Sequence, residues 1–273
     1  EPVPYVPGMD AAGVVRSAAP GSGFAAGQRV AVLVPSGCWQ EVISVPASRV
    51  LTLPDGMGFE AATASSLNYL TALFALARRG RAAAGETLLV HGAAGGVGTA
   101  AVQLGRALGL RTVAVAGDEG KREFALRCGA DHAVLADGWL GAVRGLLGER
   151  SVDIVLDPVG SDRMTDSLRS LAPEGRVLVL GFAGGEIPVV KVNRLLLGNT
   201  GVLGVAIREF VEGRPEVVGA LWEQLVGLGL DDPPVMAFPF ADAQGALRFI
   251  ADRKARGKVV LSRQVSDSPA SGA

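Results

Sequence analysis

The chain has 273 residues, 49% of them apolar and 19% charged, and a formal net charge of −1. That length can bury one large core or two ordinary ones, and the balance is globular, neither disordered nor fibrous. The near-neutral charge excludes a general attraction for nucleic acid or anionic membranes, and no apolar run reaches the length of a membrane span. Only Cys38 and Cys128 are present, which excludes a disulfide framework or a cysteine-built zinc site and fits a reducing cytoplasm.

The sequence opens EPVPYVPGMDAAGVV, without an initiator methionine, and reads as though an upstream segment had been removed. Across the first sixty residues, short runs (AAGVVRSA, QRVAVLV, WQEVISV, RVLTLP) are separated by Gly and Pro and predict a compact antiparallel β lobe. From 86 to 207 the pattern changes. Apolar runs at 87–91, 111–116, 132–135, 152–156, 176–181 and 201–207 alternate with helix-like stretches at 97–109, 120–129, 138–148, 162–172 and 189–198. Such alternation implies βαβ units and a parallel sheet covered on both faces, a doubly wound α/β fold. A helix over 215–229 is expected to end near DDPP (231–234). VMAFPF, a helix over 242–255 and KVVLS follow, and this piece is expected to return to the β lobe. The last residues are polar, small and expected to be disordered.

In VHGAAGGVGTAAVQLGRALG (90–109), Gly95, Gly96 and Gly98 follow a strand directly and open a helix. Residues without bulky side chains let backbone N–H groups approach a pyrophosphate, which the positive helix N-terminus then faces. Ala93 stands where the G-x-G-x-x-G fingerprint has its first glycine, so the motif is a variant. The second strand, RTVAVA, ends at Ala116 and Gly117 without the acid that holds the ribose of NAD. That leaves room for a 2′-phosphate with Lys121 as countercharge, and predicts NADPH. Asp118 is the competing feature, close enough to serve as the ribose acid. His91 and His132 read as structural, and Cys38 as a small buried residue without an activating neighbour.

Gly85, Glu86, Leu89, the AAGGVG block, Gln103 and Arg106 fall at spacings that resemble a known family. VPGMDAAGVV, GQRVAVL, NYLTALFAL, VDIVLDPVG, GRVLVLGFA and GKVVL follow its order, so the likeness covers nearly the whole chain. The family is the zinc-free quinone oxidoreductase (zeta-crystallin) branch of the medium-chain dehydrogenase/reductase superfamily. The resemblance implies a GroES-like catalytic lobe from both chain ends (1–64 and 232–265), a six-stranded Rossmann domain (65–231) and a tail (266–273). Members carry a longer stretch ahead of VPGxDxAG, so part of the lobe, with its substrate-site asparagine and tyrosine, is expected to be missing.

The resemblance also implies that NADPH binds between the lobes and passes hydride, without a metal, to a quinone or another conjugated carbonyl. Ala94, Gly95, Gly96 and Val97 would wrap the pyrophosphate, and Gly117 and Lys121 would flank the adenosine ribose and its 2′-phosphate. Leu180, Gly181, Phe182 and Ala183 would lie beside the cofactor, and Val205, Ala206 and Ile207 would meet its nicotinamide end. Asn68 and Thr71 would sit near the reacting ring. Lys258 would lie near the phosphates or remain a solvated surface charge. No catalytic acid or base is assigned. A homodimer through the edge of the Rossmann sheet, near 200–207, is implied as well. An enoyl-thioester reductase and a non-catalytic NADPH-binding protein are the alternatives.

Overall fold

A computed structural model of the chain describes residues 3–263, so the tail expected at 266–273 lies outside the described residues. Three short strands, β1 (Asp10–Val14), β2 (Arg29–Leu33) and β3 (Val50–Thr52), form an antiparallel sheet in that order. The fourth run expected here, WQEVISV, forms no strand. It bends, it completes no ladder with a described strand, and its Val42 is 57% exposed. Alternation alone does not make a strand without a partner edge.

The apolar runs of the alternating region become β4 (Thr87–His91), β5 (Arg111–Ala116), β6 (His132–Leu135), β7 (Val152–Asp157), β8 (Leu171–Val179) and β9 (Gly201–Gly204). They build one parallel sheet of order β6-β5-β4-β7-β8-β9. Parallel neighbours need crossovers, which the helices Gly96–Ala107, Glu119–Arg127, Trp139–Leu147 and Met164–Ser170 supply. Successive side chains of β4 go to opposite faces. Leu88 and Val90 join Phe74, Leu104 and Leu156 in one apolar layer, while Leu89 joins Val113, Trp139 and Val155 in the other. Burial on both faces is why these strands read as unbroken apolar runs. At the opposite rim, Arg176 on β8 grips the Glu86 carboxylate ahead of β4 through two bonds of 2.6 and 2.8 Å.

Three elements of the alternating region differ from expectation, the first being β8, which opens at Leu171, inside the helix expected over 162–172, and ends at Val179, short of the expected 181. The sixth strand stops at Gly204. Val205 and Ala206 turn, and Ile207 opens the helix Ile207–Val211. Val205 and Ile207 are apolar because they are buried, not because they belong to a strand. The helix expected at 189–198 is only Asn193–Gly198, since the β-branched Val189, Val190 and Val192 disfavour helix before it.

β10 (Val235–Pro239) and β11 (Lys258–Ser262) pair parallel with each other, joined by the helix Ala243–Ala251. This pair makes no ladder with β1–β3. One side chain reaches across to β1, with Lys258 Nζ 2.6 Å from Asp10 Oδ2. A continuous helical segment over 59–79 connects the antiparallel sheet to the parallel one. Its turns widen at Ser65–Tyr69 and Phe74–Arg79, a deformation frequent beside functional sites.

Candidate cofactor site

After His91 the chain turns through Gly92, Ala93, Ala94 and Gly95 into the helix Gly96–Ala107. Gly92 takes a φ of +60°, a conformation glycine adopts freely. Ala93 N–H bonds to Val115 O at 3.2 Å and Gly95 N–H to Gly92 O at 3.0 Å, fixing the turn to β5 and to itself. Packing then dictates two further glycines. A Cβ on Gly98 would overlap the Gly92 carbonyl oxygen, and one on Gly96 would overlap the Asn68 side-chain nitrogen. The bare backbone is therefore required by the closeness of the turn itself as well as by any ligand.

No side chain caps this helix at Gly95. The first-turn N–H groups, those of Gly96 and Val97 included, have no helical acceptor, and the positive end of the helix dipole stays unmatched. The next helix contrasts with it: Asp118 Oδ1 caps Glu119–Arg127 by accepting from Lys121 N–H at 2.9 Å. An uncapped helix N-terminus beyond the first strand of a doubly wound sheet fits a pyrophosphate.

Several of the expected residues converge on this edge. The Asn68 side chain, almost wholly buried, overlies Gly96, and Thr71 lies half-buried one turn further on. Leu180, Gly181, Phe182 and Ala183 form the loop after β8. It is bonded to the loop after β7 through Leu180 N–H to Asp157 O (2.9 Å) and Ala183 N–H to Pro158 O (3.1 Å). The buried Asp157 carboxylate shapes that second loop, its Oδ1 accepting from Val159 and Gly160 N–H at 2.8 and 2.9 Å. Val205 N–H bonds to Val179 O at 2.9 Å, with Ile207 buried and Ala206 exposed beside it. The loop and turn residues follow the C-terminal ends of strands in the parallel sheet, the edge at which open α/β sheets bind ligands, whereas Asn68 and Thr71 belong to the helical segment 59–79 ahead of β4.

Lys258 does not join them. Its ammonium is taken by Asp10, and the glycine turn is met instead by the backbone of Gly257, whose N–H bonds to Ala94 O at 2.8 Å and which bridges to Gly95. At the far end of the site Gly117 faces open space. Lys121 Nζ lies 3.4 Å from Asp118 Oδ2 and bonds to Arg253 O. The Lys121 N–H bond above all, with the Lys121 and Arg256 charges, holds the Asp118 carboxyl below the usual range. Arg256 was not singled out by its sequence. Its guanidinium lies so near Gly120 that a Cβ there would sit 2.5 Å from Nη2. The only local signal is the basic run DRKARGK, whose position a linear pattern cannot supply.

The zinc-binding dehydrogenase family model matches residues 96–224, from the helix Gly96–Ala107 into the helix Pro215–Gly227. Quinone oxidoreductase-like protein 2 of Rattus norvegicus is 35% identical over 271 residues, covering 96% of this chain and 77% of its own length. The chain belongs to the quinone oxidoreductase family. It falls in the zinc-free branch of the medium-chain dehydrogenases/reductases. Among solved structures, a probable oxidoreductase from Mycobacterium abscessus matches at 42% identity and a TM-score of 0.84, over 95% of this chain and 80% of its own. Escherichia coli quinone oxidoreductase, complexed with NADPH, matches at 28% identity and a TM-score of 0.86, over 95% and 82%.

In this quinone oxidoreductase-family chain, no group of three or more His, Cys, Asp or Glu among the described residues could hold a metal ion. His91 is wholly buried, with Nε2 3.0 Å from Ser167 Oγ and its ring edge-on to Trp139 at 4.9 Å. Burial, helped by the Arg163 charge, lowers its pKa to about 3, so it stays neutral. His132 Nε2 is 3.1 Å from Arg111 Nη2 on the neighbouring strand. Burial, with Asp10 nearby, pushes the Cys38 thiol up to about 11, leaving it a poor nucleophile. No helix among the described residues is long and apolar enough to cross a membrane.

Proposed function

We propose that this protein binds NADPH and reduces a quinone or another conjugated carbonyl without a metal, in a reducing compartment such as the cytoplasm. The uncapped N-terminus of helix Gly96–Ala107 at the ligand edge of the sheet carries the reading. In it, Ala94, Gly95, Gly96 and Val97 hold the pyrophosphate through backbone N–H groups. Gly117 leaves room for the 2′-phosphate, and Arg256 supplies its countercharge, with Lys121 beside it sharing its ammonium with Asp118 and Arg253 O. Asp118 is committed to the Lys121 N–H and ammonium, which leaves it poorly placed for ribose hydroxyls and favours NADPH over NADH. Leu180, Gly181, Phe182 and Ala183 on one side, and Val205, Ala206 and Ile207 on the other, confine the nicotinamide half. Asn68 and Thr71 orient the reacting ring.

Bound NADPH supplies a hydride, two electrons and one proton. Water supplies the second proton, so the acceptor gains two hydrogens and NADP⁺ remains. A quinone or enone is already electrophilic, so orientation and exclusion of water are the main demands on the protein. The test follows NADPH oxidation on adding 1,4-naphthoquinone, alongside titrations with NADPH and NADH. NADPH is expected to bind more tightly, and Arg256→Ala to weaken it about tenfold while hardly moving NADH, the size expected for one charged hydrogen bond. Tight NADPH binding without turnover would leave a non-catalytic binding protein. Tighter binding of NADH would end the reading.

A homodimer through the sheet edge belongs to the same proposal. β9 is an edge strand. Just ahead of it Ile187, Val189, Val192, Leu196 and Leu197 are 73 to 88% exposed, and contiguous apolar surface at an open strand edge marks an interface. Light scattering should find a dimer at micromolar concentration, and Leu196→Asp with Leu197→Asp should give a monomer. A monomeric native chain removes this part of the proposal.

A further inference from the structure

Between the ligand edge of the parallel sheet and the antiparallel sheet lies a cavity with an apolar wall and a charged rim. Met9, Leu33, Leu67, Ile207 and Val211 form the wall, and Arg49, Arg208 and Glu212 the rim. Leu67 adjoins Asn68, whose side chain overlies the phosphate helix, and Ile207 opens the helix that follows β9. The cavity therefore opens where the reactive end of the cofactor is proposed to lie. Its lining holds no His, Cys, Tyr or Lys, and a flat apolar ring system suits such a wall.

The three rim charges are not equivalent. Arg208 is exposed and lies 3.2 Å from the Glu209 carboxylate. Glu212, one helical turn on, is exposed and makes no ion pair with either arginine. Arg49 closes the short helix Ala47–Arg49 ahead of β3 and is half-buried. Its guanidinium has no hydrogen-bond or ion-pair partner among the described residues. A partly desolvated guanidinium forgoes hydration without regaining the charge-assisted bonds that its planar fork is shaped to make. A carboxylate or sulfonate on a ligand in this cavity restores them.

We infer that the cavity selects a conjugated carbonyl acceptor bearing an anionic group, with its ring against Leu67 and Ile207 and its anion on Arg49. This deepens the reductase reading and rests on it for the redox step alone. Arg49 is a specificity residue and takes no part in hydride transfer.

The test pairs 1,4-naphthoquinone-2-sulfonate with 1,4-naphthoquinone. The native protein should show a KM for the sulfonate about tenfold lower than for the parent, at similar kcat, as one charged hydrogen-bonded contact provides. Arg49→Leu should raise the sulfonate KM about five times more than the parent KM, and Arg49→Lys should recover part of that difference. Equal effects on both acceptors, or no advantage of the sulfonate with the native protein, overturn the inference. Turnover of neither quinone defeats the reductase reading by itself. Equilibrium binding of naphthalene-2-sulfonate then decides this one: binding about tenfold weaker to Arg49→Leu supports the anion site, and equal binding removes it.

Discussion

Gly98→Ala is expected to abolish measurable NADPH binding and to lower the melting temperature by several degrees. The added Cβ would overlap the Gly92 carbonyl oxygen and approach Ala93 Cα and C to 2.7 and 2.9 Å. All three atoms are backbone, so no side chain can swing aside and the turn itself must move. Overpacking of this kind costs about 1–3 kcal/mol, and for a chain of this size each kcal/mol lowers the melting temperature by about 2–4 °C. The same displacement moves the N–H groups proposed to hold the pyrophosphate. Gly96→Ala makes the informative contrast, because its clash is with the Asn68 side chain, which can rotate. That variant should weaken NADPH with a smaller thermal loss. A Gly98→Ala protein that bound NADPH like the native one would show that this turn is not the cofactor site.

Acid should destabilise the protein well before its carboxylates titrate, and His91 is the reason. The folded imidazole, wholly buried, holds a pKa of about 3, whereas in the unfolded chain it returns to about 6.5. Above pH 6.5 both states are neutral and nothing is lost. As pH falls from there towards 3 the unfolded state takes up the proton first, and stability drops by about 1.4 kcal/mol per unit. Between pH 7 and pH 5 the loss is about 2 kcal/mol. Urea unfolding at the two pH values measures it. His91→Phe, which fills the space beside Trp139 but leaves Ser167 without its partner, should be less stable at pH 7 yet lose much less on acidification. An equal loss in the variant would move the acid sensitivity to another group.

The doubly wound sheet was legible because its strands are buried on both faces, so that Leu88, Leu89 and Val90 are apolar in unbroken succession. Where residues are buried for another reason the same signal misleads. Val205 and Ile207 extended the apparent sixth strand although they pack in a turn and a helix start. Trp39 to Val45 carries the alternation of a strand, but a strand also needs a neighbour, and alternation says nothing about one. Asp118 could have been resolved from sequence: an Asp directly before a helix, with a free N–H three residues on, is an N-cap signal. Arg256 could not. Its approach to Gly120 joins segments separated by most of the parallel sheet, and no local pattern encodes that closure.

The bridge between Gly95 and Gly257 bears on how the protein is made and divided. Residues 86 to 227 look like a portable module, contiguous in the gene and folded around one sheet. Yet one wall of its glycine turn is synthesised long after the turn itself, when Gly257 leaves the ribosome and donates its N–H to Ala94 O. A nascent chain can stack its sheet while that wall is still absent, domain by domain as long chains do. A graft cut at the edges of the sheet would carry the glycines away and leave their closing strand behind.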